Sequence, residues 1–431
     1  MLTAVERTVH AMAFVLQIVP VGTNLGLAHM MWVMMNGSFL RSRGAVVMAL
    51  HMNGLPKEAV RRSWAALRQG SWTVNELLTE WSIYVASQNQ WRPRRYAGYS
   101  VLGVDITGFW RPKLHGWMGK HFHSLAQRAL PAVVLGVMTL SGEVDKQRIP
   151  LLRRLVRCQP EVGKADFRLE LLKAAKAVVQ ADEVIVVDAE FEISELHVAD
   201  IERYVVRLAN NATARRNQLP EYKGRGRWPE YGERVRPLPR RWKERQIAAT
   251  APDHETQFVH DGRTIQVAIW WQQVPVDTKV DPLNKTFAIY AYTDPAYKTP
   301  LLLATNLTCA ADIPYLMYRD RWPVEQAPLS AKQMIGLHRS FVFSKESCFR
   351  LPELALFAGN MLTYLAATLP PFQTGFWDRS PKRTPGRLRR VLQQADFPIF
   401  TTVEPLLREK NSVTHHLPKG SSAHVRQKRA A

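Results

Sequence analysis

The sequence predicts an α/β fold in which helices flank a mixed sheet, with a helical region before the sheet and a β-rich insertion within it. Two changes along the chain predict this order. Residues 1–95 place apolar residues at helical spacing, whereas residues 96–209 alternate strand-like apolar runs with helical ones. A second change follows at residue 210, where a basic segment containing Pro and Gly leads to further strand-like runs. Alternating strands and helices are typical of layered α/β proteins.

The charge of the chain predicts a polyanionic partner. The 431 residues include 58 Lys and Arg against 37 Asp and Glu, which gives a formal net charge of +21. An excess of this size favours nucleic acid as the first candidate partner and an anionic membrane surface as the second. The hydrophobic content of 46% allows a large core and excludes a wholly disordered chain. The length predicts two to three domain-sized units.

The cysteines predict a reducing, intracellular location. They lie far apart in the sequence and form no CxxC pair: Cys158, Cys309, Cys348. Neither a zinc ribbon nor a disulfide framework is therefore supported.

The N-terminal 95 residues are predicted to be helical. Residues 11–35 carry no charge, but Pro20 and Gly26 interrupt them, so two short packed helices are expected rather than a membrane-spanning one. Thr73 and Glu76 have the spacing of a capping box at the start of a later helix. A basic cluster, "WRPRR", follows this region. The region is a candidate DNA-binding domain, although a plain helical bundle fits the same pattern.

The next segment predicts the sheet. The apolar run "YSVLGVDITGFW" reads as a strand that ends near Asp105, and "PAVVLGVMTL" reads as a second strand. After a predicted helix, "DEVIVVDAEF" is a continuous apolar run that ends at Asp188, as expected of a buried central strand. "ISELHVADIE" is predicted to be helical and "RYVVRLAN" to be a strand.

The segment from residue 210 to 297 is predicted to be a basic, β-rich insertion. Between Arg207 and Arg245 there are twelve Lys or Arg and four Asp or Glu, and two strand-like runs, "TIQVAIWWQQV" and "KTFAIYAYTD", follow. The run "PLLLATNL" then predicts one more buried strand. Beyond Phe376 the chain is basic and contains Pro, Ser and Gly, so residues 377–431 are expected to be an exposed tail with a disordered end.

Two aspartates are expected to meet at one edge of the sheet. Asp105 and Asp188 both end, or nearly end, an apolar strand, and α/β sheets place their sites at the carboxyl ends of strands. Two neighbouring carboxylates do not both stay ionised without a cation. Mg²⁺ prefers carboxylate oxygens and water. Each aspartate taken alone also fits an ordinary turn or helix-capping role.

The stretch "YRDRWPVEQAPLSAK" supplies a third carboxylate. Tyr318 and Arg321 are three residues apart, Glu325 follows after four more, and Lys332 after another seven. On a continuous α-helix these steps place all four side chains on one stripe. A solvated helix face would give the same pattern. The alternative is that Glu325 joins the two aspartates at a metal site while Arg321 and Lys332 bind phosphate oxygens.

These residues resemble the Tyr-Arg-Glu-Lys signature of DDE transposases of the insertion-sequence-4 type. The match comprises Tyr318, Arg321, Glu325 and Lys332 at the family's spacing, and "RWPVE", "VDITG", "VVDAEF" and "YVVRL" look similar too. The resemblance covers roughly residues 95 to 365. It implies an RNase H-like catalytic core, formed by residues 96–209 and 298–376, with a β-rich insertion at 210–297 and a helical domain at 1–95.

The resemblance also implies an activity. Such an enzyme cuts transposon-end DNA and joins it to target DNA. It uses two metal ions, either Mg²⁺ or Mn²⁺. It acts as a homodimer on double-stranded DNA and has no membrane partner. Its location would be the bacterial cytoplasm, at the nucleoid. The site residues form two groups. The implied metal ligands and catalytic residues are Asp105, Asp188 and Glu325. The implied DNA contacts are Tyr318, Arg321, Trp322, Lys332 and Arg207.

Two positions depart from the family pattern. Glu190 stands where a Gly is usual, and it either adds charge near the site or faces away. Pro328 lies three residues after Glu325 and is expected to kink a helix that starts near Pro323. Two alternatives therefore stay open. One is an inactive or repurposed DNA-binding protein of the same ancestry, and the other is an RNase H-like nuclease without strand transfer.

Overall fold

The computed structural model describes residues 2–395 apart from residues 223, 225 and 244, together with residues 397 and 407. The predicted disordered end of the tail lies outside these residues. The helices, in chain order, are α1 (Leu2–Leu16), α2 (Thr23–Met35), α3 (Ser38–Arg41), α4 (Val46–His51), α5 (Lys57–Gln69), α6 (Val74–Ser87), α7 (Lys164–Lys176), α8 (Ile193–Val198), α9 (Asp312–Arg319), α10 (Pro323–Leu329), a π-helix (Ser330–Met334), α11 (Lys345–Thr368) and α12 (Pro385–Gln393).

The strands belong to one large sheet and two small ones. They are β1 (Arg92–Pro93), β2 (Arg95–Tyr96), β3 (Tyr99–Trp110), β4 (Lys120–His123), β5 (Arg128–Leu140), β6 (Gly142–Val144), β7 (Gln147–Arg148), β8 (Leu151–Arg157), β9 (Glu183–Val187), β10 (Tyr204–Arg207), β11 (Ala214–Arg216), β12 (Arg234–Val235), β13 (Arg240–Trp242), β14 (Arg245–Ile247), β15 (His254–His260), β16 (Arg263–Pro275), β17 (Phe287–Thr293) and β18 (Leu301–Thr305).

The N-terminal region is helical, as predicted. The uncharged stretch forms α1 and α2, with a turn between them, because Pro20 and Gly22 interrupt the apolar run. Helix α6 starts with the predicted capping box, in which the Thr73 hydroxyl accepts from the Glu76 amide. Helices α1, α2 and α6 share one hydrophobic core with α11, which contributes residues such as Phe357 and Leu362.

The centre of the large sheet is mixed, and helices cover both of its faces, as the sequence predicts. Strands β8, β5 and β3 are antiparallel neighbours, and β3, β9 and β10 run parallel. The spatial order of these five strands is β8-β5-β3-β9-β10. Helices α7 and α8 bury Phe167, Leu171 and Leu196 on one face.

The opposite face carries two separate apolar cores. The core with the N-terminal helices and α11 includes Phe109 and Val324, while a second core joins Val101 and Val186 to Met317 on α9. Both cores therefore contact β3, and they leave a gap between them on the same face of the sheet.

The segment from residue 210 to 297 is β-rich, as predicted, and its long strands continue the large sheet. Strand β18 pairs antiparallel with β10, and β17, β16 and β11 follow it in order. The basic strands β13 and β14 form a separate hairpin.

Two expectations about this architecture are wrong. Strand β3 does not end near Asp105 but continues to Trp110, because its second half keeps pairing with β5 after β9 has ended. The basic segment after Phe376 is not exposed throughout. Helix α12 forms within it, because Leu388 and Leu392 are one helical turn apart and both are buried.

Among the helices of the described residues, none combines the length and the apolar character that crossing a membrane requires.

Candidate active site

The site is built on one face of β3. Successive side chains of a strand point to opposite faces, so Gly103, Asp105 and Thr107 share the face that carries the gap between the two cores. The parallel pairing of β3 with β9 matches Gly103 with Val186. Continued by two residues, this register brings Asp188 beside Asp105 on the same face. The sequence prediction that these two carboxylates are neighbours agrees with this placement.

The corner between α9 and α10 lies over the same face. Tyr318 is in the last turn of α9, and Glu325 is in the first turn of α10. Gly103 permits the close approach, because a Cβ at this residue would lie 3.3 Å from the Val324 Cβ and 3.7 Å from the Arg321 Cγ. The absence of a side chain at Gly103 thus allows Arg321 to reach the sheet.

The predicted single helical stripe is wrong. Tyr318, Glu325 and Lys332 lie on three consecutive helical segments, because α9 ends at Arg319 and α10 begins at Pro323. Proline is well suited to the first position of a helix, where no backbone hydrogen bond is lost. The side chains still converge, since the corner folds back over the sheet.

Pro328 has a local effect on the helix, as expected. It lies inside α10, where its ring removes the backbone hydrogen bond to Val324. The helix then continues as the π-helix, in which the amide of Ile335 donates to the Ser330 carbonyl at 3.0 Å. π-Helical turns are rare and frequently occur at functional sites. Lys332 lies within this turn.

Arg321 is the centre of the site. Its Nη2 donates to Glu325 Oε1 at 2.8 Å and to Asp188 Oδ2 at 3.3 Å. The Arg321 side chain is 6% exposed, whereas Asp188 and Glu325 are 31% and 39% exposed. The Tyr318 hydroxyl donates to Asp188 Oδ1 at 3.1 Å, and Arg207 lies 3.6 Å from the same oxygen. One buried guanidinium therefore joins two carboxylates that are open to solvent.

Asp105 lies on the face of β3 that Arg321 approaches, and its charge interacts with this cluster. Burial raises the pKa of Asp105 to about 6, although Arg321 opposes the shift; Glu325 and Glu190 add to it. Burial alone would lower the pKa of Arg321, but Asp188, Tyr318, Asp105 and Glu325 raise it above its ordinary value. The guanidinium thus pairs with Asp188 and Glu325, and its charge also acts on Asp105.

Lys332 contacts β3 two residues after Asp105. Its Nζ donates to Thr107 Oγ1 at 3.0 Å and lies 4.6 Å from the centre of the Trp110 ring. Burial lowers the pKa of Lys332 to about 8, against the attraction of Asp105. The structure therefore brings Lys332 to the site, although not along the predicted helical stripe.

Glu190 pairs with Lys164, at the start of α7, and does not line the cleft described below. Its Oε1 lies 2.7 Å from the Lys164 Nζ, and its charge contributes to the raised pKa of Asp105. Its charge therefore acts on Asp105 from a distance, and Lys164 compensates it in part.

The three carboxylates are not arranged as a ready metal site. Within the described part of the chain, no three Asp, Glu, His or Cys side chains form a group that could hold a metal ion. A Mg²⁺ ion bonded to two carboxylate oxygens at about 2.1 Å would hold them within about 4 Å of each other. Arg321 now stands between Asp188 and Glu325. The donor types fit a hard cation, and the fit requires the guanidinium to move away from the two carboxylates.

A cleft of about 530 Å³ opens from this cluster. Its lining residues are Arg148, Asp188, Arg207, Tyr292, Asp294, Tyr297, Thr299, Pro300, Leu301, Tyr315, Tyr318, Arg319, Arg321, Trp322 and Glu325. Four of them are arginines, and Trp322 is 56% exposed. The cleft therefore combines four arginines and three carboxylates with aromatic rings, and its arginines and rings suit contacts with a nucleic acid backbone and its bases.

The sequence did not single out some of the residues of the cleft. Arg148 comes from the β6–β7 hairpin, and Tyr297 from the loop before β18. Arg319 lies inside the Tyr-Arg-Glu-Lys segment and could have been noticed there. Comparison with models of known protein families gives no match, and no curated protein matches the chain.

Proposed function

We propose that this protein is a metal-dependent DNA transposase, which cuts transposon-end DNA and joins it to target DNA. The observation that carries the proposal is the pairing of Asp188 and Glu325 with the guanidinium of Arg321 in a cleft lined by four arginines, next to Asp105 on the neighbouring strand. Carboxylates that require a cation, placed beside phosphate-binding arginines, are suited to phosphodiester chemistry.

The strand order supports an RNase H-like core. The order β8-β5-β3-β9-β10, with the first three strands antiparallel and the last two parallel to β3, is the arrangement expected for that fold. Asp105 then lies on the central strand, and Asp188 follows its parallel neighbour. The large β-rich addition between residues 210 and 297 lies between Asp188 and Glu325, as in the family that the motif resembles.

The side chains of the candidate site have separate roles in the proposed reaction. One or two Mg²⁺ ions would be held by Asp105, Asp188 and Glu325. These ions would activate a water or a 3′-hydroxyl as the nucleophile and stabilise the leaving oxygen. Arg321 exchanges its carboxylate partners for a phosphate, which it can bind through two nitrogens. Tyr318 keeps Asp188 oriented through its hydroxyl.

The remaining cations position the DNA. Arg207 and Lys332 lie on either side of the aspartate pair, at Asp188 and at Thr107. They would bind phosphates on both sides of the bond that is cut. The net charge of +21 favours the encounter with DNA and makes it dependent on salt.

A cleavage assay on the DNA that flanks the gene tests the proposal. Wild-type protein with Mn²⁺ should nick this DNA within the element's end, and Asp188→Ala should lower the rate by more than about 100-fold, because even indirect partners of metal ligands cost 10- to 100-fold. Asp182→Ala is the matched control, since this half-exposed carboxylate pairs with Arg95 and does not line the cleft. Unchanged nicking in Asp188→Ala would refute the assignment.

The products distinguish the alternatives. Nicked DNA joined to a target indicates a transposase, whereas nicking without joined product indicates an RNase H-like nuclease. Tight binding with no cleavage in Mn²⁺ indicates a DNA-binding protein that has lost its activity.

One observation favours this last candidate. Arg321 lies between Asp188 and Glu325, and Glu190 adds a fourth carboxylate whose charge acts on Asp105. If Arg321 does not leave these partners when DNA binds, the protein holds DNA without cutting it.

A further inference from the structure

Asp320 is a buried carboxylate beside Arg321 in the sequence, and the proposed reaction does not use it. Its side chain is 0% exposed. Arg94 Nε donates to Asp320 Oδ2 at 2.8 Å, and Arg148 Nε lies 3.2 Å from Oδ1, as an ion pair without hydrogen-bond geometry. Arg94 also pairs with Glu143 at 2.7 Å. A fully buried carboxylate thus holds two arginines that come from distant parts of the chain.

Arg94 and Arg148, the two arginines that pair with Asp320, differ in what else they contact. Arg94 is 27% exposed, has several partners and does not line the cleft. The side chain of Arg148 is 41% exposed and lines the cleft. In the described residues, Asp320 is the one side-chain partner of Arg148. Arg148 therefore presents donors to the cleft that are not used inside the protein.

The position of Asp320 relates Arg148 to the other cations. The backbone carbonyl of Asp320 accepts from the Ser141 hydroxyl at 2.6 Å, and the amide of Ser141 donates to Val101. Asp320, the partner of Arg148, is thus connected to β3 at Val101. Arg321 approaches the same strand at Gly103, and Lys332 contacts it at Thr107. From residue 101 to 107 a strand rises about 20 Å.

We propose that Arg148 binds a backbone phosphate at the cleft, and that Asp320 is a positioning residue for Arg148 and for the corner that carries Arg321. The proposal deepens the proposed function, because it rests on DNA occupying the cleft. It adds one phosphate contact to those proposed for Arg321, Arg207 and Lys332.

Equilibrium binding of a fluorescent 20-base-pair duplex of the gene's own flanking DNA, measured by anisotropy in Ca²⁺ buffer over a range of salt concentrations, tests the proposal without cleavage. Arg148→Gln should weaken binding about three- to thirtyfold and reduce the slope of log affinity against log salt by about one, as the loss of one phosphate contact does. Lys176→Gln is the control, since Lys176 also pairs with an aspartate, Asp200, and is similarly exposed, at 42%, but does not line the cleft. It should leave the slope unchanged.

Asp320→Asn tests the positioning role, with circular dichroism used to show that the variant is folded at the temperature of the assay. Alone, Asp320→Asn should weaken binding and reduce the salt slope. In the double variant with Arg148→Gln, the fold-loss of affinity should be smaller than the product of the two single fold-losses, because both changes remove the same contact. An Arg148→Gln variant that binds with the wild-type slope overturns the proposal. Multiplicative effects in the double variant overturn the positioning role.

The outcomes also separate this proposal from the function that it rests on. If the wild type nicks DNA while Arg148→Gln binds normally, the transposase stands and the contact is refuted. If Arg148→Gln lowers the slope but the wild type never cuts, the contact stands on a DNA-binding protein. No binding of the duplex by the wild type refutes both.

Discussion

Residues 320 and 321 are neighbours in the sequence, and each is the centre of an ionic cluster. At Arg321 one cation serves the carboxylates Asp188 and Glu325 and faces Asp105. At Asp320 the arrangement is reversed, since one carboxylate serves Arg94 and Arg148. Both centres are buried, at 5% and 0% exposure.

The clusters differ in the exposure of the partners and in how fixed they are. Asp188 and Glu325 line the cleft, so another cation can reach them from solvent if Arg321 leaves. The carboxylate of Asp320 is closed off, and its backbone is tied to Ser141. The same ionic chemistry thus gives a replaceable centre at Arg321, where another cation can take its position, and a fixed cluster at Asp320. We interpret the first as functional and the second as the support that positions it.

The largest expected effect concerns metal-free stability. Arg321→Met should lower the free energy of unfolding by about 3 kcal/mol, because it leaves carboxylates without their counter-ion. Mn²⁺ should restore most of this loss, since a ligand at 100 times its Kd stabilises the folded state by about 2.7 kcal/mol. Thermal unfolding with and without Mn²⁺ measures both quantities.

Asp320→Ala is the matched comparison for Arg321→Met. It should also be destabilised, but Mn²⁺ should raise its Tm no more than it raises that of the wild type. Equal Mn²⁺ shifts in Arg321→Met and Asp320→Ala would show that the two centres do not differ in the proposed way.

An intermediate effect is expected from Asp105 and depends on pH. Burial raises the pKa of Asp105 from 3.8 to about 6, so the folded state binds more protons than the unfolded state between these values. This contribution to stability is present below about pH 4 and is lost as the pH rises to about 6. In EDTA at pH 7, Asp105→Asn should therefore be more stable than the wild type by about 3 kcal/mol, at about 1.36 kcal/mol for each unit of the pKa difference.

Urea unfolding from pH 4 to 7 measures this difference, and Asp182→Asn is a control of opposite sign. A hydrogen bond from Arg95 lowers the pKa of Asp182, so its contribution is present at pH 7 and is lost as the pH falls. A stability gap between the wild type and Asp105→Asn that does not grow between pH 4 and 6 would contradict the burial of this carboxylate.

Much of the sheet could be predicted from the sequence, because its buried strands are continuous apolar runs. The strand β9 and the position of Asp188 directly after it follow from "DEVIVVDAEF" alone. Strand β8 was not predicted, since its sequence "LLRRLVR" interrupts the apolar pattern with arginines, one of which, Arg157, pairs with the buried Glu353. Helix α11 was not predicted either, because it is apolar nearly all round and carries no amphipathic stripe.

The candidate site was predicted as a set of residues but not as a geometry. The spacing of Tyr318, Arg321, Glu325 and Lys332 identified side chains that converge, while the helix expected to carry them is broken before Pro323 and widened after Pro328. The role of Asp320 could not be predicted, because its partners Arg94 and Arg148 are more than 150 residues away in sequence. Contacts of that kind exist in the folded chain alone.

The smallest expected effect concerns Lys332, which lies near the replaceable centre and carries a charge that depends on pH. Burial lowers the pKa of Lys332 to about 8, so the free protein loses this charge as the pH rises above that value. A DNA phosphate at Lys332 would raise its pKa in the complex. Binding above pH 8 must then take up a proton, and the affinity should fall by up to about tenfold for each pH unit.

Anisotropy titrations of the labelled duplex from pH 7 to 9 test this difference, with Lys332→Arg as the matched control because arginine keeps its charge throughout. The wild type should lose affinity above pH 8 and Lys332→Arg should not, while Arg148→Gln should bind more weakly at every pH yet keep the wild-type pH dependence. Calorimetry in buffers of different ionisation enthalpy should detect the proton that the wild type takes up at pH 9. If Lys332→Arg loses affinity as steeply as the wild type, the pH dependence belongs to another group, and Lys332 does not contact the phosphate.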